Sequence, residues 1–143
     1  MTQEEKISRR KAILNEYNVN ERYSMEYNPN PGEYEVEIES VDFKVNCNNN
    51  WYFQFVCKTL GDTKYKKMFG NYYFTEATEG PTIVDLRCLL NEYNKPTFTD
   101  DDLGDEGKIL ERLQSLIGEK AVLIIEDQNG FNDSKLFKEA LSA

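Results

Sequence analysis

Histidine is absent from this chain. Its absence removes Ser-His-Asp and Cys-His catalysis, histidine-ligated metals and the commonest general base. The glycine signatures are missing too: there is no GxSxG, no GxGxxG, and no GxxxxGK followed by Ser or Thr. Without them there is no nucleophile elbow, dinucleotide fingerprint or phosphate loop. Carboxylates remain, but no pair of them stands out. The expectation is a protein that is not an enzyme and needs no cofactor or metal.

Cysteine is scarce, limited to Cys47, Cys57 and Cys88. An odd number without CxxC or Cys/His spacing argues against a disulfide framework and against structural zinc. Cys57 and Cys88 lie in apolar patterns and are expected as small buried hydrophobes. Cys47, in an Asn-rich turn, is expected to be exposed. Long apolar runs are also lacking, since none approaches the ~18 residues needed to cross a bilayer. The opening Met1-Thr2-Gln3-Glu4-Glu5-Lys6 has no signal-peptide core. No membrane contact is expected, and a cytoplasmic location follows.

Basic charge is in deficit, with 17 Lys and Arg against 26 Asp and Glu and a net charge of −9. Taken alone, that opposes nucleic acid as a partner. The distribution says more. Residues 1–30 balance to zero, 31–50 carry −4, 51–75 carry +3 and 76–143 carry −8. The one positive stretch is also the most aromatic, holding nine of the eighteen Phe, Trp and Tyr residues.

What is present fits one folded domain. A chain of 143 residues with 39% hydrophobic content can bury a sizeable core. Residues 4–17 read as an amphipathic helix with Thr2 as cap and Ile7, Ile13, Leu14 and Tyr17 as its apolar stripe. Its Arg9-Arg10-Lys11 run suits a solvated face, with a supporting phosphate contact as the alternative. Asn28-Pro29-Asn30-Pro31-Gly32 is a breaker cluster. It divides a helical extension, 1–30, from the main domain, 31–143.

From Glu33 the chain alternates strictly, with Tyr34, Val36 and Ile38 apolar and glutamates between them, which predicts a half-buried strand. The phase then slips by one residue to Val41, Phe43 and Val45. A slip of one moves side chains to the other face unless a bulge absorbs it. A long strand bent in this way can serve two sheets in turn, as small barrels require. Asn46–Asn50 reads as a turn, Trp51–Thr59 as a second strand and Thr63 to about Phe74 as a third, joined by a two-residue Gly61-Asp62 loop.

Gly80-Pro81-Thr82 opens a predicted helix with Ile83, Leu86, Leu90 and Tyr93 at helical spacing, stopped by Asn94-Lys95-Pro96. Residues 97–107 read as an acidic loop. Its Asp100-Asp101-Asp102 and Asp105-Glu106 offer no EF-hand register and instead suit a helix N-terminus. A second helix is expected near Glu106–Ile117, with Ile109, Leu110, Leu113, Leu116 and Ile117 on one side and Gly118 as its stop. Ala121–Ile125 suits a central strand. Gln128-Asn129-Gly130 turns into a last strand near Phe131–Phe137.

Pairing through Gly61-Asp62 sets Leu60 against Thr63, Lys58 against Tyr65, Val56 against Lys67 and Gln54 against Phe69. One surface then carries Tyr52, Gln54, Val56, Lys58, Tyr65, Lys67 and Phe69. The other carries Trp51, Phe53, Phe55, Cys57, Lys66, Met68 and Gly70, and suits an interior. Rings interleaved with ammonium groups are what a single strand needs. Its bases stack on rings at about 1–3 kcal/mol each, and lysines neutralise its phosphates with release of counterions. The plainer alternative is that aromatics pack well on any sheet and that lysines protect edges. A one-residue slip would instead bring Lys64 and Lys66 beside Tyr52 and Lys58 and turn Tyr65 and Phe69 inward.

Pro31-Gly32-Glu33-Tyr34-Glu35-Val36-Glu37-Ile38, the aromatic Trp51–Cys57, the basic Lys64-Tyr65-Lys66-Lys67-Met68-Phe69 and the closing Leu116–Ile125 follow in an order that resembles bacteriophage single-stranded DNA-binding proteins of the OB-fold type. The resemblance spans about Pro31 to Phe137. It implies a mainly β fold, a five-stranded OB-like barrel with helices after strand three, that protects DNA during phage replication or recombination in the host cytoplasm. It also implies a platform of Tyr52, Lys58, Tyr65, Lys67 and Phe69, with Trp51, Lys64, Lys66, Tyr72 and Tyr73 as additions. Bacterial members of the wider group end in an acidic, partner-recruiting tail. The Lys138-Glu139-Ala140-Leu141-Ser142-Ala143 ending departs from that pattern and argues against recruitment of this kind. Partners are then single-stranded DNA, with a homo-oligomer and replication or recombination proteins also compatible. Two other classes compete: an acidic protein-binding inhibitor that mimics nucleic acid, and a structural or assembly protein with an aromatic subunit interface.

Overall fold

The computed structural model describes residues 2–15, 29–61, 63, 65–128 and 131–139. The elements run α1 (Gln3–Asn15), β1 (Gly32–Val45), β2 (Trp51–Thr59), β3 (Lys67–Tyr73), α2 (Glu79–Glu92), α3 (Asp100–Leu103), α4 (Glu106–Gln114), β4 (Lys120–Gln128) and β5 (Phe131–Phe137). The strands form one antiparallel sheet in the order β3-β2-β1-β4-β5. The protein is therefore mainly β, with three helices inserted between the third and fourth strands. No backbone ladder joins β3 to β5 among the described residues.

The long first strand works as its phase slip predicts. Residues 32–37 pair with β4 and residues 36–45 with β2, and the register shifts between Ile38 and Ser40. Glu39 is the extra residue of that bulge. The shift keeps Val36, Ile38 and Val41 buried on one side, which is how the bulge reconciles two phases of alternation. The Asn46–Asn50 turn is closed by the Asn46 side chain, whose Oδ1 accepts from the Asn48 and Asn50 backbone N–H groups, each at 3.0 Å. Asn49 takes the left-handed conformation there, with φ of 62°.

The inner face of the sheet carries Val36, Ile38, Val41, Phe53, Phe55, Cys57, Met68, Leu123, Ile125 and Leu136. Leu86, Leu89 and Leu90 of α2, Ile109 and Leu113 of α4, and Leu116 beyond it close over that face. Each fully buried side chain of this size contributes roughly 1.5–3 kcal/mol. Gly118, with φ of 91°, ends the turn after α4, and its N–H reaches the Ile38 carbonyl at 2.7 Å. The helical layer is thereby tied to the bulge.

Several expectations need correction. The third strand begins at Lys67, not Thr63, and the β2–β3 connection is longer than two residues. Thr59 pins this connection, its hydroxyl donating to the carbonyls of Tyr65 and Lys66 at 2.8 and 3.1 Å. Residues 97–107 are not all loop, because Asp100–Leu103 forms one helical turn with a Thr99/Asp102 capping box. The predicted second helix ends at Gln114 rather than Ile117, and Ile117 is exposed. Cys88 is exposed rather than buried, because α2 turns Thr82, Leu86, Leu89 and Leu90 inward and leaves position 88 outside.

α1 is capped as expected, Glu5 N–H donating to Thr2 Oγ1 at 3.1 Å, but none of its residues is buried. Ile7, Ile13 and Leu14 thus form no core stripe. Tyr17, Asp62, Lys64, Asn129 and Gly130 lie outside the described residues, although Gln128 pairs with Phe131 across that last turn. No described helix is long and apolar enough to cross a membrane.

Candidate functional site

The outer face of β1, β2 and β3 is where the expected platform would lie. β2 and β3 pair as Tyr52 with Tyr73, Gln54 with Asn71, Val56 with Phe69 and Lys58 with Lys67. This register differs by two residues from the one that the Gly-Asp loop suggested. Because strand side chains alternate with period two, a shift of two leaves each residue within β2 and β3 on the face that the loop register gave it. The observed register sets ring against ring, amide against amide and apolar against apolar, and such cross-strand pairs contribute roughly 0.2–1 kcal/mol each.

β1 completes the face, with Lys44 opposite Tyr52, Asp42 opposite Gln54, Ser40 opposite Val56 and Glu37 opposite Lys58. Lys44 Nζ donates to Gln54 Oε1 at 2.9 Å, and Gln54 Nε2 donates to Asn71 Oδ1 at 3.1 Å. A polar chain therefore crosses the middle of three strands. On one side of it lie the Tyr52 and Tyr73 rings, centroids 5.2 Å apart and tilted by 37°. On the other side lie Val56 and Phe69, then Lys58 and Lys67. From Lys67 to Tyr73 the face runs roughly 20 Å along β3.

The two tyrosines are too close for a planar group to slip between them, which needs about 7 Å at van der Waals contact. What they offer is an outward aromatic surface. Their backbone setting is firm. The Tyr73 carbonyl accepts hydrogen bonds from the hydroxyls of Thr78 and Thr82, at 2.8 and 2.7 Å, clamping the end of β3 to the start of α2. Charge on the face is divided by strand: lysines on β2 and β3, and Glu37, Glu39 and Asp42 on β1 beside Lys44.

Of the expected site residues, Tyr52, Lys58, Lys67, Phe69 and Tyr73 share this face. Tyr65 does not join it, because it precedes β3 and packs half-buried against the core. Lys66 is exposed in the same connection. Trp51 lies on the opposite side of β2 from Tyr52 and stacks on Phe43, centroids 4.9 Å apart and interplanar angle 22°. Tyr72 is a core residue, 5% exposed. Burial pushes its phenol well above the ordinary range, and its oxygen accepts the Leu136 N–H. Lys64 lies outside the described residues.

Lys44, Asn71 and the β1 carboxylates belong to the face although sequence reasoning did not select them, and Gln54 lies on it as expected. A signal existed for Lys44. Once Val41, Phe43 and Val45 are assigned inward, Asp42 and Lys44 must face outward beside the second strand.

No protein-family profile matches this chain, and no curated protein matches it.

Proposed function

We propose that this protein binds single-stranded DNA without strong sequence preference, on the outer face of β1–β3, and protects it during phage replication or recombination in the host cytoplasm. The observation that carries the reading is the joint placement of Tyr52, Tyr73 and Phe69 with Lys44, Lys58 and Lys67 on one outward sheet surface. Bases stack on the rings whatever their identity, while the ammonium groups meet phosphates and release counterions. The acidic remainder of the surface repels nucleic acid elsewhere.

The strand order supports an OB-like barrel as the scaffold. β3 and β5, the outer strands, are bridged by Leu136 N–H to Tyr72 Oη at 2.7 Å and by Asn71 N–H to Ser134 Oγ at 3.1 Å. Closing these edges gives the circular order β1-β2-β3-β5-β4, and strands two and three then present their outer face to the ligand.

The test is a titration of a fluorescent oligo-dT of about thirty nucleotides at low and moderate salt. Binding that weakens with salt is expected, with Tyr52→Ala and Tyr73→Ala each costing about 1–3 kcal/mol. Tyr65→Ala, in the connecting segment, should alter stability more than affinity. Absence of binding at low salt would overturn the proposal and leave an acidic protein-binding inhibitor as the better reading.

A further inference from the structure

Glu39 and Lys67 form an ion pair, Oε2 to Nζ 3.2 Å, across the outer surface of the sheet. Its route is uncommon, because Glu39 stands on β1, Lys67 on β3, and β2 runs between them. The bulge makes this reach available. Ile38 pairs with Cys57 and Ser40 with Val56, so Glu39 has no cross-strand partner of its own. Beside the carboxylate, Lys58 and Lys67 stand directly opposite each other on β2 and β3.

Like charges in that position destabilise an antiparallel pair. Here Glu37 faces Lys58 from β1 and Glu39 reaches Lys67. Two lysines paired across neighbouring strands, with a carboxylate already on the ammonium of one of them, have the composition of an occupied anion seat.

We infer that Lys58 and Lys67 form the phosphate seat of the platform, and that Glu39 is its built-in competitor, displaced when a phosphodiester binds. The inference rests on the single-strand reading above and deepens it, naming the cations that take the backbone and the group that damps them. Carboxylate and phosphodiester oxygens both accept from the same ammonium N–H donors, so one excludes the other. The pair is solvent-accessible, with side-chain exposures of 58% for Lys67 and 33% for Glu39. Exposed pairs of this kind are weak enough to exchange.

Removing the competitor should therefore tighten binding and alter its response to salt. Each phosphate neutralised by a lysine adds about 0.7 to the slope of log affinity against log salt for single strands. A lysine already neutralised by Glu39 contributes less than that. The experiment titrates labelled oligo-dT over a salt series with the full chain as wild type, Glu39→Gln, Lys67→Gln and the double variant, with thermal melts confirming that each folds.

Glu39→Gln should bind up to about fivefold tighter at low salt, with a slope steeper by up to about 0.7. Lys67→Gln should bind more weakly, with a shallower slope. In the double variant the gain from Glu39→Gln should vanish. A Glu39→Gln protein with unchanged affinity and slope would overturn the inference while leaving strand binding intact. So would a gain that persists undiminished without Lys67, since that marks a diffuse charge effect. A wild-type protein that fails to bind at any salt would bring down the single-strand reading and this inference with it.

Discussion

The backbone N–H of Leu136 donates to the phenol oxygen of Tyr72 at 2.7 Å, joining the two outermost strands, which share no backbone ladder among the described residues. The Tyr72 ring lies inside, edge-on to Phe55 with centroids 5.5 Å apart. One side chain thus serves the core and stitches the sheet edges. A Cβ at Gly70, two residues earlier, would meet side-chain atoms of both Leu123 and Leu136 at 3.5 Å, an ordinary contact, so alanine fits there and only a longer side chain would press on β4 and β5.

Tyr72→Phe keeps the ring and removes the acceptor, leaving the Leu136 N–H without a partner. A buried donor orphaned in this way costs about 1–3 kcal/mol. Chemical denaturation should show a loss of that size, with oligo-dT affinity unchanged because Tyr72 is not on the outer face. A variant as stable as wild type would show that β3 and β5 are not held together by this bond.

The cysteines give an independent check of the packing. Cys57 is fully buried, while Cys47 and Cys88 are exposed. Burial, reinforced by the nearby Glu39 charge, pushes the Cys57 thiol up to about 12, so its reactive thiolate is absent near neutral pH. Maleimide treatment of the native protein, read by intact mass, should add labels at Cys47 and Cys88 only. Labelling of Cys57 should require denaturant. Rapid labelling of all three in native buffer would contradict an inward β2 face.

Much of this fold is legible in the sequence because alternation is a direct record of sheet geometry. The glutamates at 33, 35, 37 and 39 mark β1, and the slip between Ile38 and Val41 marks its bulge. The last hairpin is borne out by Gln128 pairing with Phe131. The β2–β3 connection misleads because Gly61-Asp62 satisfies a local turn rule, whereas the register answers to Tyr52 with Tyr73 and Gln54 with Asn71, pairs that no local window contains. Tyr72 is misplaced for a different reason. The resemblance drew it to the platform, while alternation with Met68 and Gly70 already puts it inside. α3 is four residues long, too short to show any helical period. The Glu39–Lys67 contact depends on a bulge and two strand pairings at once, and no single motif encodes it.

Asp102 offers a test by pH. It is N3 of the α3 capping box, its Oδ2 accepting from the Thr99 N–H at 2.8 Å and from Arg112 Nε at 2.8 Å. The Thr99 backbone N–H first, and then the Arg112 side chain, hold its carboxyl below the usual range against the opposing effect of burial. A carboxyl lowered in the folded state contributes its full stabilisation above the unfolded-state value, about 4. That contribution disappears as pH falls through the lower native value. Asp102→Asn keeps an acceptor but loses the charge, so it should melt below wild type at neutral pH, and the gap should narrow steadily under acid. The α3 and α4 segments are joined through this carboxylate, so the loss should appear as earlier hydrogen exchange around 99–112. A gap that stays constant from neutral pH down past about 3 would mean that the charge of Asp102 does not hold the two helices together.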